Sequence, residues 1–423
     1  MKITLLTGAG LSTAFAGLST WKITNNLRIL NVPDLEIDGI LPGEYFYRKL
    51  CLHYTGRRKN DCDLATVNFE TIIHLLEEMY AYLSSYIKGD KKIRAEYKGI
   101  KPAFLKLQET ISKDLYEVKF ESKKVGLYQL IQNYYTYFIA SIVNELKDFD
   151  TKASNGMKQF NERFLVANFP DSDWIKRIYT LNYDNWFNLF EKYYDGFDVA
   201  GNFESGEVMN NDKPNCYFNL HGCVYWQNTL DQNKITKQKK VVDFHSYFTS
   251  SAFGINREPL LSTPIITGYN KLQRMKYNPY LQFYYSMQKD ILNSDILVII
   301  GYSFTDPHIN NLLELFKKKT VIVDYIADWM KTEEDMRKFL NNSKKLKAYE
   351  KKYGTIDPTD IGYEVFSEKV IGKFRNVSPF NGGFELDIQD ISKGWVSSRN
   401  NLTKFWWRGI GEEFYNKWPQ IIA

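Results

Sequence analysis

Three short polar runs, separated by long stretches of chain, carry the side chains best suited to chemistry. The run TGAGLS at residues 7–12 follows an apolar segment and turns on two glycines. Asn182 and His221 each follow another short apolar segment, in the runs TLNYD and NLHG. A glycine turn lets the backbone approach a pyrophosphate, whose charge is met by amide N–H groups at the start of the next helix. A side-chain amide can hold a hydroxyl or a water, and an imidazole can move a proton at neutral pH.

These runs can act together only if the fold brings them to one place. Each follows a predicted strand, and ligands of open parallel sheets bind outside the carboxyl ends of the strands. A fourth run, GYSFTD at residues 301–306, ends a buried-strand pattern in a turn, and DPHIN then opens a helix. The sequence therefore predicts one dinucleotide site assembled from distant parts of the chain.

Alternating strand and helix patterns indicate the fold class. After the first strand, strand signals return at residues 177–180, 217–220, 264–267, 296–300 and 320–323. Helical patterns separate these signals, so we predict parallel βα units in an α/β protein with a Rossmann-like sheet.

The chain divides into three predicted parts. A nucleotide-binding domain comprises residues 1–24 and 165–330, with a flexible loop over the site at 14–24. Residues 25–164 show helical periodicity and form an inserted helical domain, in which Asn68 caps one helix and a longer helix starts near Leu127. Its function is to cap the site or to assemble subunits.

Residues 331–423 are predicted to form an α/irregular extension. A charged helix at 329–353 leads into a tail rich in aromatic rings. The rings of the tail are Trp395, Phe405, Trp406, Trp407, Phe414, Tyr415 and Trp418. Two interpretations stay open: these rings pack back onto the nucleotide-binding domain, or they form a subunit or partner interface.

Composition excludes several classes of protein. Net charge is +5 over 423 residues, a slight basic excess that does not by itself indicate nucleic-acid binding. The lysine-rich run at residues 344–352 is interpreted as a solvated helix face, with a nucleic-acid patch as the alternative. Four cysteines suit a reducing cytoplasm rather than a disulfide framework. We see neither a leader peptide nor an apolar run long enough for a membrane span, so we predict a cytoplasmic protein. The high aromatic content, 16%, fits either a large core or surfaces that contact proteins or bases.

Taken in this order, the runs at 7–12, 180–184 and 219–222 resemble the sirtuin family. The run from Gly301 to Asn310 is similar to the GYSFxDxxIN signature of bacterial sirtuin-like proteins rather than to the deacetylase form. The resemblance covers roughly residues 1–25 and 165–330. It implies NAD as the substrate.

The resemblance also assigns roles to residues. Asn182 would hold a ribose hydroxyl and the attacking water, His221 would take a proton from the ribose, and Asp184 would orient the Asn182 loop or steady positive charge. The residues predicted to contact the rest of NAD are Gly8, Ala9, Gly10 and Ser12 at the phosphates, Thr20 and Trp21 near nicotinamide, and Gly301, Ser303 and Asp324 near the adenosine half. Ordinary structural roles compete: a turn for Asn182, a satisfied core position for His221, a helix cap for Asp324.

The chain departs from deacetylase sirtuins in two places. Their zinc module has two CxxC pairs, whereas this chain has none, so we expect no metal. Their GIPDFR loop is replaced by GLSTWK at residues 17–22, where Thr20 stands for the acid and Trp21 keeps an aromatic ring. Both departures disfavour an acyl-lysine cleft and favour water as the acceptor.

The leading hypothesis is therefore an NAD glycohydrolase that releases nicotinamide and ADP-ribose. Similar bacterial proteins are antiphage effectors that deplete NAD, and the family suggests a homo-oligomer and a partner such as a HerA-type ATPase. Two alternatives remain. The chain is an NAD-dependent protein deacylase or ADP-ribosyltransferase, or it is a non-catalytic sensor of NAD or ADP-ribose.

Overall fold

The structure is a computed structural model. It describes residues 1–15, 17–32, 36–55, 67–87, 105–115, 119–120, 123–124, 127–147, 154–186, 193–210, 213–229, 234–238, 265–267, 271, 275, 278–316, 318–324, 384–385, 395–398, 402–406 and 410–422. The charged helix predicted at 329–353 lies outside these residues.

The described strands form one large sheet and two small hairpins. The strands are β1 Lys2–Thr7, β2 Lys119–Phe120, β3 Lys123–Lys124, β4 Ile175–Thr180, β5 Asn215–Asn219, β6 Trp226–Thr229, β7 Lys234–Lys237, β8 Ile296–Ile300, β9 Lys319–Val323, β10 Phe384–Glu385, β11 Trp395–Ser398 and β12 Thr403–Trp406. The large sheet has the order β10-β11-β12-β9-β8-β1-β4-β5, and β2-β3 and β6-β7 pair separately. From β12 to β5 every pairing is parallel, which confirms the predicted α/β class with a Rossmann-like sheet.

The central strands are apolar runs because both of their faces are covered. In register, Leu5 of β1 lies beside Ile178 of β4 and Val298 of β8. All three side chains are at most 1% exposed. Continuous apolar runs are typical of parallel strands that carry helices on both faces.

The helices fall into a sheet-covering set and an inserted set. Their bounds are α1 Ala9–Ala14, α2 Thr20–Arg28, α3 Pro42–Thr55, α4 Phe69–Ile87, α5 Leu105–Leu115, α6 Leu127–Lys147, α7 Ser154–Phe160 with a π-helical continuation Asn161–Val166, α8 Ser205–Asn210, α9 Tyr280–Asn293, α10 Pro307–Leu313 and α11 Glu412–Ile422. Helices α2 to α6 share a hydrophobic core that includes Phe46, Leu76 and Phe138. As predicted, Asn68 caps α4, accepting the amide of Glu70 at 2.9 Å.

Part of the region beyond residue 331 completes the sheet unit. Strand β12 pairs in parallel with β9. The rings of Phe414 and Trp418 on α11 lie 5.2 and 4.8 Å from the ring of Phe164. The rings of Phe414 and Trp418 therefore pack back onto the nucleotide-binding domain, which is the first of the two interpretations of the aromatic tail.

Two local expectations are wrong. Residues 20–24, predicted as part of a loop, are instead the first five residues of α2. Ser19 caps this helix by accepting a hydrogen bond from the amide of Lys22 at 3.1 Å. The strand predicted at 264–267 is not part of the sheet. In its described portion, Ile265 makes an isolated antiparallel bridge to Gly222.

Within the described chain, no helix combines the length and apolarity that crossing a membrane requires.

Candidate functional site

The carboxyl ends of five parallel strands bring the predicted site residues to one edge of the sheet. Thr7, the last residue of β1, is in register with Thr180 of β4 and Ile300 of β8. Thr180 is in turn beside Asn219, and Ile300 beside Val323. The residues that follow these strands therefore share one edge: Gly8, Asn182, His221, Gly301 and Asp324.

The glycines of the first turn allow two loops to pack backbone against backbone. The amide of Gly8 donates to the carbonyl of Ile300 and the amide of Gly10 to that of Gly301, both at 2.9 Å. A Cβ on Gly10 would lie 2.6 Å from Gly301 Cα. Gly301 itself has φ +61°, and its Cβ would lie 2.4 Å from the amide nitrogen of Leu11.

In the described arrangement both amides donate to carbonyls of the neighbouring loop, so these glycines pack the two loops together. Their predicted contact with a pyrophosphate stays a prediction. Ala9, between them, is exposed, and its proposed phosphate contact stays a prediction.

Ser12 joins the two polar residues of the second run. Its Oγ donates to Asp184 Oδ2 at 2.9 Å and accepts from Asn182 Nδ2 at 2.7 Å. A hydroxyl has a single proton to donate, so Ser12 in this arrangement has none for a phosphate oxygen. Ser12 links Asn182 to Asp184, and its predicted contact with a phosphate stays a prediction.

The Asn182 amide is held from several directions. Its Nδ2 also donates to the Gly8 carbonyl at 3.1 Å, and its backbone amide donates to Thr180 Oγ1 at 3.0 Å. The two hydrogen bonds that Nδ2 donates, to Ser12 Oγ and to the Gly8 carbonyl, fix the plane of the side-chain amide. Its Oδ1 makes no hydrogen bond within the described residues. Oδ1 is thus the atom available to a ribose hydroxyl or a water.

Asn219, at the end of β5, holds this turn in place and was not assigned a role from the sequence. Its side-chain amide donates to the carbonyl of Asp184 at 2.9 Å and to that of Asn182 at 3.3 Å. The hydroxyl of Tyr217 donates to the Asp184 carbonyl as well, at 3.1 Å. The residue type was visible in the NLHG run, but the partners lie 35 or more residues away in sequence.

His221 is buried with an unused nitrogen. The side chain is 2% exposed, and its Nε2 has no hydrogen-bond partner among the described residues. Gly222, with φ +90°, turns the chain directly after it, and the His221 carbonyl accepts the amide of Ile266 at 2.7 Å. Burial, followed by the positive charge of Lys271, lowers the pKa of His221 from 6.5 to about 3. The imidazole is therefore neutral at pH 7, with a lone pair available.

This pKa predicts how stability depends on pH. Because the pKa of folded His221 lies below 6.5, the unfolded chain binds more protons than the folded chain between about pH 3 and pH 6.5. The stabilisation is complete above that range and declines as the pH falls, by up to about 1.4 kcal/mol per pH unit. We expect His221→Gln to lose stability less steeply than wild type in urea unfolding at about pH 7, 6 and 5. Equal slopes for the two proteins would contradict the assignment.

A second histidine and an acid lie beside His221. The rings of His221 and His308 have centroids 5.8 Å apart. Asp306 occupies the N-cap position of helix α10, two residues before His308, without a capping hydrogen bond from its side chain. His308 is 6% exposed, and its Nε2 also lacks a hydrogen-bond partner in the described part of the chain. His308 was not assigned a role from the sequence.

Lys271 links this cluster to the inserted helices. Its Nζ lies 2.9 Å from Asp306 Oδ1 and 3.1 Å from Oε1 of Glu70, in the first turn of α4. Lys271 is 8% exposed, and its two acids raise its pKa despite burial. The neighbouring ammonium also helps to lower the pKa of Asp306, so that carboxyl is ionised at neutral pH.

The GYSFTD turn is braced by Asn310 on the helix that follows it. Tyr302 donates from its hydroxyl to Asn310 Oδ1 at 2.9 Å, and Asn310 Nδ2 donates to the Phe304 carbonyl at 2.9 Å. Phe304 has φ +58°, an unusual value for a residue with a side chain. Such a conformation persists when surrounding contacts determine it, and it is frequent at binding sites. This hydrogen bond gives Tyr302 and Asn310, both in the run from Gly301 to Asn310, a shared structural role.

The remaining predicted contacts lie at the rim. Thr20 and Trp21 start α2, Trp21 is 56% exposed, and within the described residues neither side chain is hydrogen-bonded to Asn182 or His221. Ser303 is exposed and its hydroxyl contacts Thr305 Oγ1 at 2.8 Å. Asp324 follows β9, and its amide donates to the Trp406 carbonyl at 2.9 Å. Their roles in binding stay predictions.

The fold and the site define a class: an α/β protein whose polar cluster lies at the carboxyl edge of a parallel sheet. A family model, the SIR2-like domain, matches residues 176–349. Over this segment the chain is similar to SIR2-like domains, which bind NAD. Strand β1 and its glycine turn lie outside the matched segment but belong to the same sheet. A search among curated proteins gave no match.

Proposed function

We propose that this protein is an NAD glycohydrolase, which converts NAD⁺ and water to ADP-ribose, nicotinamide and a proton. The observation that carries the proposal is the presence, at one edge of the sheet, of an oriented amide on Asn182 and of a neutral imidazole on His221, whose Nε2 has no hydrogen-bond partner among the described residues.

The chemistry requires few groups. Cleavage of the nicotinamide–ribose bond passes through an oxocarbenium-like sugar, as glycoside cleavage does. Nicotinamide leaves as a neutral molecule from a cationic substrate, so no strong acid is needed. The protein has to hold the ribose, tolerate positive charge and admit water to the opposite face.

Asn182 supports the positioning of the ribose and the water. Its Nδ2 is bonded to Ser12 and to the Gly8 carbonyl, which leaves Oδ1 to accept a hydrogen bond. Asp184, 4% exposed and bonded to Ser12, contributes negative charge next to this amide. That charge favours the cationic sugar of the transition state.

His221 supports proton removal. Its Nε2 accepts the proton from a ribose hydroxyl or the attacking water, which gives a buried imidazolium. The nearby carboxylate of Asp306 favours that charged form and opposes the effect of burial. The proton then leaves to solvent when the products depart.

Water is favoured as the acceptor by what the sequence lacks. No CxxC pair is present to build the zinc module of deacetylases. In the described part of the chain, Cys51, Cys216 and Cys223 are buried and form no disulfide. Thr20 replaces the acid of the deacetylase loop. These departures argue against a cleft for acyl-lysine.

The cellular setting is part of the same proposal. Uncontrolled hydrolysis of NAD would kill the host cell, so the activity requires a switch. We propose a cytoplasmic, homo-oligomeric antiphage effector that depletes NAD on infection, with a partner such as a HerA-type ATPase acting on the inserted helices or the C-terminal region. This setting rests on family analogy.

The test is to incubate the purified full chain with NAD⁺ alone and to separate the products by liquid chromatography. We expect nicotinamide and free ADP-ribose in equal amounts. Nicotinamide released only when an acylated or acceptor peptide is added would replace the proposal with a deacylase or transferase. Tight NAD binding without turnover, alone and with the candidate ATPase, would replace it with a sensor.

A further inference from the structure

We propose that His221, Asp306 and His308 form a binding site for one divalent transition-metal ion of the zinc class. The site is distinct from the cysteine zinc module of deacetylases. Binding of the ion does not depend on NAD hydrolysis and can be measured without turnover.

The geometry brings three suitable ligand atoms together. One nitrogen from each histidine and one carboxylate oxygen of Asp306 all lie within 4.8 Å of one another. Ligand atoms around a tetrahedral zinc ion are roughly 3.4 Å apart, given bonds of about 2.1 Å. Side-chain rotations that move the ligand atoms by about an ångström would therefore bring all three within bonding distance of one ion. A fourth position stays open for water, as in catalytic zinc sites.

The second observation is a pair of unused donors inside the protein. Both imidazoles are more than nine-tenths buried, and the Nε2 atoms of both have no hydrogen-bond partner within the described residues. Buried polar atoms are nearly always paired with protein, water or an ion. Two such nitrogens beside a carboxylate are therefore explained together by one bound cation.

The identity of the three ligands indicates the class of metal. In the described part of the chain, the Lys271 ammonium lies between the carboxyl groups of Asp306 and Glu70. Lys271 takes Oδ1 of Asp306, so Oδ2 is the oxygen assigned to the metal. Two imidazoles and one carboxylate suit zinc, iron, cobalt or nickel rather than calcium or magnesium.

The metal and a proton would compete for the same lone pair of His221. The ion therefore withdraws the base that the proposed hydrolysis uses. This consequence rests on the proposed function, whereas binding of the ion does not.

The experiment is a Co²⁺ titration of the full-length protein after chelator treatment and desalting, followed by visible absorption. We expect a tetrahedral Co²⁺ spectrum that saturates at about one ion per chain. His308→Ala should weaken binding by more than about 100-fold, since a lost ligand costs more than a lost outer-shell contact. His53→Ala, which removes an exposed histidine on α3, should bind as wild type does.

A variant-independent measurement protects the test against misfolding of His308→Ala. X-ray absorption of the Zn²⁺-loaded wild type should show imidazole nitrogen and oxygen around the metal, without sulfur. Failure to bind Co²⁺, unchanged binding by a folded His308→Ala, or sulfur in the zinc shell would each overturn the proposal. Reversible inhibition of nicotinamide release by Zn²⁺ is the further result expected if the hydrolase assignment holds.

Discussion

Replacing His221 with glutamine is expected to lower the rate of nicotinamide release by about 10²- to 10⁴-fold, the usual contribution of a general base. Glutamine retains a polar side chain of similar size but cannot accept a proton at neutral pH. The effect should fall on kcat with little change in KM, because proton removal belongs to the transition state. The measurement is the steady-state rate in the presence of a chelator.

Asn182→Ala tests the other half of the site. Loss of the amide that positions ribose and water is expected to cost about 10²- to 10³-fold in kcat, as for other preorganised polar groups. His53→Ala serves as the control for both variants, since it removes an exposed histidine far from these groups in sequence. A folded His221→Gln or Asn182→Ala protein that retains wild-type activity would remove that residue from the mechanism.

The glycine packing between the two strand-end loops predicts a large loss of stability in Gly301→Ala. The new Cβ would meet the Leu11 amide nitrogen at 2.4 Å and backbone atoms of Gly10 at 2.5 Å, in a residue with φ +61°. Backbone atoms cannot yield as a flexible side chain does. We expect a loss of about 3 kcal/mol or more in the free energy of unfolding, measured by urea denaturation.

Two other glycines separate crowding from backbone strain. Gly39 has φ +71° but no atom within 4 Å of a built Cβ, so Gly39→Ala should cost only about 1–2 kcal/mol. Gly206, inside α8 and also in open space, should be neutral or gain up to about 1 kcal/mol as alanine. If Gly301→Ala costs no more than Gly39→Ala, close packing of the two loops does not constrain this position.

Local patterns in the sequence predict the fold well where each strand is a complete apolar run. Strands β1, β4, β5, β8 and β9 each end in a recognisable turn, and parallel pairing then brings Asn182 and His221 to one edge. The helix caps at Ser19 and Asn68 both follow local sequence rules, although only the cap at Asn68 was predicted. Strand β12 is four residues long and separated from its partner β9 by a long segment. No local pattern identifies such a pairing.

The polar partners of the site were less predictable, because their distances in sequence are large. Ser12 and Asp184 are 172 residues apart, and no pattern in the sequence indicates that the Ser12 hydroxyl donates a hydrogen bond to the Asp184 carboxylate. Lys271 lies in a region without recognisable periodicity. His308 follows a proline at the start of a helix, so it read as a helix residue. Strand β8 ends shortly before His308 at the same edge of the sheet as Asn182 and His221, and this position could have indicated that His308 lies at the site.

The strand order also has a consequence for synthesis on the ribosome. Strand β1 is central in the sheet and emerges before the other strands described, yet its partners are β4 and β8, which start at residues 175 and 296. The far side of β9 is covered by β12, which begins at Thr403. At roughly 5–20 residues per second, tens of seconds separate the emergence of β1 from that of its second neighbour. A nascent chain consequently holds Gly8 long before Gly301 exists to pack against it, and the proposed NAD-consuming site cannot assemble until translation has passed the second of those loops.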